Sequence, residues 1–433
     1  MKSNKDLKRA IIGSTVGTAI EMYDFASFGY FAVLIGTVFF PTDNPVNSLL
    51  AAFATFGVAF FMRPLGGAIF GIIGDRYGRK ESFTWCILLM TLFTFLMGFI
   101  PTYESIGIWA PILLITLRCL QSLCVGGELT GAFTFVAEHS PPNRRGYYGS
   151  WVQVGGIGCF LLGSLVSLLV TAIVPEPYFT QYGWRILFWF GGLLGVAGII
   201  IRRYLSESPE FEEMKAKGQL SKKPLNDAIR HNKKALFHTA GLAIYQNVAI
   251  YIVLTYIPTY LLTEVHFSKL ASTGSTVLAV IAAVVFVPIA GEMADRYGKV
   301  KVLIWSCIGG LLLIYPMFFI MNLKVTSMAI VSHMVVGALV GIFVGVIPSI
   351  MAELYPTNVR YAGMSFSYNV SVSIFGGFAP FIATFLISYT NDPLSPSYYV
   401  LGAALVTLIT LISMAKTEHA VITVEEPTAT IKK

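Results

Sequence analysis

Twelve stretches of mostly apolar residues, none shorter than 18, run along this chain at 10–35, 48–74, 83–100, 108–137, 147–172, 184–204, 236–262, 272–292, 301–321, 326–351, 362–389 and 397–415. A helix needs about 20 such residues to cross a bilayer. Lipid cannot satisfy open backbone groups, and these runs are far longer than barrel strands, so each is read as a membrane-spanning helix, numbered span 1 to span 12. Composition agrees: 55% of the 433 residues are hydrophobic and 12% charged, with a mean hydropathy of +0.70. A soluble domain carries about 25% charged residues and could not bury this much apolar surface, while a disordered chain is poor in apolar and aromatic residues. The fold class is therefore an all-α membrane protein. Span 1 is too long for a signal-peptide core, holds Glu21 and Asp24 and lacks a small-residue cleavage pattern, so it is expected to be retained.

The formal charge of +7 would suit a nucleic-acid binder only if it were pooled in one patch. Instead, 25 of the 30 basic residues fall in segments on the side of the N-terminus. Two, Lys269 and Lys324, fall in loops on the other side, and Arg63, Arg118 and Arg185 lie within spans. This asymmetry places both termini in the cytoplasm and removes the nucleic-acid reading. The five cysteines all lie in apolar stretches, so neither a disulfide framework nor a metal cluster is expected. No Ser/His or Cys/His constellation marks an enzyme, and no cofactor is implied.

Two motifs recur. Gly71-Ile-Ile-Gly-Asp75-Arg76-Tyr77-Gly78-Arg79-Lys80 follows span 2, and Gly291-Glu-Met-Ala-Asp295-Arg296-Tyr297-Gly298-Lys299 follows span 8, 220 residues later. Ala137-Glu138-His-Ser-Pro141-Pro-Asn143-Arg-Arg145 after span 4 is echoed by Ala352-Glu353-Leu-Tyr-Pro356-Thr-Asn358-Val-Arg360 after span 10, displaced by 215. Two motifs repeating at matched places imply two six-helix halves of parallel topology, related by an axis along the membrane normal. Residues 1–203 form the first bundle, 204–235 a cytoplasmic linker, 236–416 the second bundle and 417–433 a cytoplasmic tail. The linker carries an acidic run from Glu207 and a basic cluster of Lys222, Lys223, Arg230, Lys233 and Lys234, and is read as an amphipathic segment on the membrane surface. Two rocking halves suit alternating access; a channel needs no such repeat.

The Asp-Arg-x-Gly-Arg-Lys turn and its echo resemble the signature loop of the major facilitator superfamily. Glu21-Met-Tyr-Asp24-Phe, Arg63-Pro-Leu-Gly-Gly67, Gln121 through Glu128, Gly183-Trp-Arg185 and Glu207-Ser-Pro-Glu-Phe211 are similar to its metabolite:proton symporter branch. Tyr103 through Leu114 and Phe135 through Pro141 are similar to members that carry proline and betaine. The long C-terminal coiled-coil extension of those members is not expected here, and their Gln-Gly in span 4 is Gln121-Ser122. The resemblance implies a secondary transporter in a bacterial inner membrane, with a small-molecule substrate, a proton and the lipid bilayer as partners and a monomer as the working unit. It also implies a cytoplasmic gate in which Asp75, Glu138 and Arg145 hold the halves together. Gly71, Arg76, Gly78, Arg79, Asp295, Arg296, Glu353 and Arg360 complete that gate. On the residues themselves, Gly71, Gly74 and Gly78 allow a tight turn, Asp75 can accept hydrogen bonds from a helix N-terminus or pair with Arg145, and Arg76, Arg79 and Lys80 sit at the level of lipid phosphates.

Ionisable residues inside a bilayer are costly and mark function. Glu21 and Asp24 share a face of span 1, and Arg118, Gln121, Val125 and Glu128 follow one face of span 4. Counting about 1.5 Å per residue brings Asp24 and Arg118 to similar depth. A carboxylate facing a guanidinium across a gated cavity can switch on protonation, so Asp24, Arg118, Glu21 and Glu128 are the proton-coupling candidates. Substrate contacts are expected from Tyr23, Arg63, Gln121, Gln153, Gln246, Asn247, Tyr251, Tyr368 and Asn369. Aromatic rings hold quaternary ammonium groups and arginine binds carboxylate. Three internal acids against two arginines balance once one acid is protonated, which suits a zwitterion of the proline or betaine type better than citrate, 2-oxoglutarate or shikimate. Lone His333 is read as a hydrogen-bonded structural residue.

Overall fold

The computed structural model describes residues 4–175, 178–203 and 205–424; the side chains of residues 4, 5, 24 and 417–424 lie outside the description, as do residues 425–433 of the polar tail. Spans 2 to 12 are Pro45–Arg76, Arg79–Met97, Trp109–His139, Pro142–Ile173, Phe179–Arg203, Lys233–Thr263, Lys269–Tyr297, Lys299–Asn322, Thr326–Glu353, Arg360–Thr390 and Ser395–Lys416. Span 1 is a bent pair, Asp6–Tyr30 and Ala32–Phe39, meeting at 66°. Asn44 and Ser268 begin spans 2 and 8 by accepting the N–H groups of Val46 and Ala271, donors that a helix start would otherwise leave unpaired.

Several helices outrun their apolar stretches at the face that gathers most basic residues, here the basic face. Span 8 continues to Tyr297 rather than ending at 292, and span 2 runs through Asp75 and Arg76. Helical hydrogen bonding carries on into the polar motif, so the signature residues sit on the last turn of a helix and not in a loop. Gly78 and Gly298 then reverse the chain almost at once, with φ of 133° and 97°, a region that only glycine enters cheaply.

The two six-helix halves meet along paired helices: span 2 lies against span 11, and span 5 against span 8. Small residues let these backbones touch. A Cβ on Gly71 would lie 2.8 Å from Ala362 Cα, and one on Gly291 would lie 2.7 Å from the Gly146 carbonyl. Spans 7 and 11 each widen into a π-helical turn, Tyr251–Tyr256 and Val372–Gly376, the kind of irregularity that collects at functional sites. All five cysteines are free, four of them buried. His333 bridges Ser275 Oγ (2.9 Å) and the Val253 carbonyl (2.8 Å), tying the π-turn of span 7 to spans 8 and 10.

Candidate functional site

The centre of the first half holds a run of charge and aromatic contacts. Arg63 reaches Glu21 at 3.6 Å and lies 4.4 Å and 4.3 Å from the ring centres of Phe25 and Phe60. Neither carboxylate oxygen of Glu21 makes a hydrogen bond among the described residues. Arg118 donates to Gln121 Oε1 (2.8 Å), whose amide in turn donates to Thr94 Oγ1 (2.6 Å), and its guanidinium sits 4.1 Å from the ring centre of Phe28. Asp24 lies on span 1 between these contacts, with its side chain outside the described residues. Arg63 and Gln121, expected at the substrate, are instead engaged inside the first half.

Glu128 differs from expectation. It forms a buried ion pair with Arg202 of span 6, which also donates to the Phe83 carbonyl (2.6 Å). Arg202 ends an apolar run and so reads in the sequence as one of the orientation charges. Its inward turn makes the internal balance three acids to three arginines, so the neutrality argument drawn from the sequence fails. A single buried charge would be far costlier than this pair.

Between the halves is a closed pocket of about 10 Å³, room for about one water molecule. Gln153 of span 5, Gln246, Asn247 and Tyr251 of span 7 and Tyr368 of span 11 line it together with Met22. Among the described residues, no ionisable carboxylate or base is in the lining. On the side away from the basic face, the rings of Phe56 and Phe60 close on Tyr251, with centroids 5.7 Å and 5.4 Å apart. Two residues expected here lie elsewhere. Tyr23 packs on Phe190 and donates to the Leu187 carbonyl (3.2 Å), since a tyrosine hydroxyl is easily satisfied by a neighbouring backbone. Asn369 donates to the Gly126 carbonyl (2.5 Å), which the interruption of span 4 at Gly126 and Gly127 leaves without a helical partner.

Asn369 belongs to a ladder that sequence reasoning missed. Tyr361, Ser365, Asn369 and Ser373 recur every fourth residue on span 11. Tyr361 donates to the Gly127 carbonyl (2.7 Å), Ser365 to that of Gly126 (2.9 Å) and Ser373 to that of Phe60. All three acceptors are in the other half, where spans 2 and 4 are interrupted. The fourfold spacing of polar residues in an apolar run was the visible signal.

At the basic face, Asp75 accepts the backbone N–H of Ala362 at 2.9 Å and forms an ion pair with Arg79. Arg79 also contacts Glu138 (3.3 Å) and the Thr357 carbonyl (3.2 Å), and Glu138 pairs with Arg360 (3.1 Å). Asp295 accepts the N–H groups of Gly146 and Tyr147, each at 2.8 Å. Two expectations change. Arg79 is fully buried, not at lipid headgroups; Arg76 and Lys80 stay toward the surface. Asp75 is not partnered by Arg145, which pairs with Glu210 (3.2 Å) and Glu353 (4.0 Å). Glu353 pairs with Lys299 at 2.7 Å, and Arg296 with Glu292 at 2.9 Å.

The linker is also more than a surface segment. Ser208 donates to Glu138, and Glu210 bridges Arg145 and Arg360 (2.9 Å), which belong to different halves. Glu207 accepts the backbone N–H groups of Arg79 (3.1 Å) and Lys80 (3.2 Å), and its burial pushes its carboxyl above the usual carboxylate range despite these bonds. Ser208 before Pro209 is a helix N-cap that could be read in the sequence, but its partner is 70 residues away.

The chain matches the family described as Major Facilitator Superfamily over residues 14–380 and 275–429. It is 37% identical over 423 residues to the proline/betaine transporter of Salmonella typhimurium, covering 95% of this chain and 84% of that one. To the glycine betaine/proline/ectoine/pipecolic acid transporter OusA of Dickeya dadantii it is 36% identical with the same coverage. Among solved structures, the proton:xylose symporter XylE bound to 6-bromo-6-deoxy-D-glucose shares the fold, with a TM-score of 0.80 at 16% identity over 95% of this chain and 96% of that one.

Proposed function

The chain belongs to the major facilitator superfamily, and from that premise we propose that it is a proton-coupled symporter of a small zwitterionic compatible solute of the proline or glycine betaine type. It is a multi-pass membrane solute transporter and not an enzyme. The reading places it in a bacterial inner membrane with the basic face and both termini in the cytoplasm, working as a monomer. Residues 1–203 and 236–416 are the two units that rock in alternating access, with 204–235 joining them.

One observation carries the choice of cargo: the pocket between the halves is lined by amides, tyrosines and apolar groups, while the internal charges that the structure describes sit beside it in the first half. A neutral zwitterion suits such a lining, and a tricarboxylate would leave its charge unmatched. The names of the relatives point the same way. Asp24, with Glu21 beside it, takes up the proton; Arg118 and Arg63 supply the opposing charge. Protonation weakens the carboxylate–guanidinium attraction and shifts the balance between the two access states. Glu128 is assigned to holding Arg202.

Uptake of radiolabelled proline, glycine betaine and citrate into proteoliposomes under an imposed pH gradient tests this. Accumulation of a zwitterion that stops when the gradient is collapsed is expected; accumulation of citrate alone would reverse the cargo assignment.

A further inference from the structure

We propose that, within the zwitterion class read above, the central pocket favours cargo whose cationic nitrogen carries an N–H, proline over glycine betaine, because Gln246 offers it a carbonyl oxygen locked in orientation. The inference rests on the central pocket being the cargo site. The lock is a one-way relay of hydrogen bonds. Asn247 Nδ2 donates to the Ala243 carbonyl at 2.8 Å, and since a carbonyl only accepts, the Asn247 amide cannot turn over. Its Oδ1 accordingly accepts the hydroxyl of Tyr368 at 3.1 Å. With that hydrogen committed, the Tyr368 oxygen has only acceptor capacity left, and it takes Gln246 Nε2 at 3.3 Å. Amide orientation is a matter of network logic, and here the network allows one solution.

Gln246 is fully buried, and its Oε1, the end of the relay, has no hydrogen-bond partner among the described residues. In the same pocket, Gln153 is 2% exposed and its Nε2 also lacks a partner among the described residues. The pocket thus presents one fixed acceptor and one donor amide, contributed by different halves. A secondary-ammonium zwitterion meets both: its N–H goes to Gln246 Oε1 and its carboxylate to Gln153 Nε2. A fully methylated nitrogen has no hydrogen to give and strands the Gln246 oxygen in a dry site. A site built to bond a substrate N–H rejects the analogue that lacks it more strongly than an apolar pocket rejects a change of size.

Proline and N,N-dimethylproline share ring and carboxylate and differ in the N–H. In proteoliposomes bearing the full chain, unlabelled proline should inhibit labelled proline counterflow at a concentration at least about tenfold lower than the dimethyl compound, the preference an unpaired buried acceptor commands. Tyr368→Phe, which keeps the ring and frees the amide to turn, should bring the ratio of the two inhibition constants toward one. Gln246→Leu should do the same, and binding of the dimethyl compound, read as a thermal shift of the purified protein, confirms that the variant is folded. Equal inhibition in the unaltered protein, or a preference that survives both substitutions, overturns the selection rule while leaving zwitterion transport standing. Failure of both compounds to bind removes the cargo reading and this inference with it.

Discussion

The Asp75 carboxylate holds the backbone N–H of Ala362 at 2.9 Å, fastening the last turn of span 2 to the first turn of span 11 across the two halves. Its repeat partner Asp295 holds Tyr147 at 2.8 Å, and the residues correspond by the same displacements, 220 and 215, that relate the motifs. Each contact places a carboxylate on the positive end of a helix, where charge-assisted bonds are strongest. The two are not equal, since Asp75 lies in a buried network with Arg79, Glu138 and Arg360, while the charges around Asp295 are partly exposed. Asp75→Asn should therefore lower uptake about tenfold with membrane abundance unchanged, and Asp295→Asn only about two- to threefold. Immunoblots beside initial uptake rates check this; a matching fall in abundance would assign Asp75 to folding.

The ladder on span 11 predicts a second effect. Its donors satisfy carbonyls at interruptions in spans 2 and 4, where lipid offers no substitute. In the alternating access proposed above, opening the basic face would pull span 11 away and strand the Gly126 and Phe60 carbonyls, whereas that of Gly127 keeps the Gly131 N–H, so the ladder should favour closure. Asn369→Ala should raise maleimide labelling of a reporter Thr130→Cys from the basic side severalfold. Labelling that stays at the level of the reporter alone would show that the ladder does not hold the gate.

The Glu128–Arg202 pair gives a stability prediction. Both groups are buried, so removing one partner leaves an uncompensated charge, a loss of about 3–5 kcal/mol in buried pairs generally. Glu128→Gln and Arg202→Met should each lower the thermal unfolding midpoint in detergent, and the double substitution should recover much of the loss. A double substitution as damaging as the sum of the single ones would contradict the pairing.

These cases mark what could be read from the chain. Apolar runs gave the spans, because length and lipid leave no alternative to a helix. The repeat announced matched contacts at Asp75 and Asp295, and the middle of spans 5, 7 and 11 supplied Gln153, Gln246, Tyr251 and Tyr368 to one pocket. Arg202 was missed because an arginine ending an apolar run looks the same whether it faces headgroups or turns inward to Glu128. The role of Glu207, Ser208 and Glu210 was missed because a charged segment reveals its own helix cap but not partners in two other bundles.

Glu207 supplies a pH dependence outside the membrane spans. Burial raises its carboxyl above the ordinary value, so the closed gate binds this proton more tightly than an open gate that returns Glu207 to water. Closure therefore gains from Glu207 fully below the ordinary carboxylate range, and that gain is lost as pH rises through the raised value. Glu207→Gln keeps an acceptor for the N–H groups of Arg79 and Lys80 without the charge. It should favour the closed basic face at neutral pH and flatten the acid limb of reporter labelling against pH. An unchanged acid limb would place that titration in another group.

The last prediction concerns coupling. Phe25 and Phe28 bring span 1 onto the Arg118 guanidinium, at 5.4 Å and 4.1 Å, and Asp24 precedes them by one and four residues. Positions 24 and 28 are one helical turn apart on one face of span 1, which is the ground for proposing Asp24 as the acid opposite Arg118. With Arg118 held by Gln121, and Gln121 by Thr94, the guanidinium is a fixed positive charge against which a proton can be exchanged. Asp24→Asn mimics the loaded state permanently. It should abolish accumulation driven by a pH gradient yet leave counterflow of labelled substrate within about threefold, since exchange needs both access states but no proton release. Arg118→Gln should impair both. Full gradient-driven accumulation by Asp24→Asn would transfer the coupling role to Glu21, whose carboxylate meets Arg63 at 3.6 Å without a hydrogen bond, and Glu21→Gln would then be the variant that loses it.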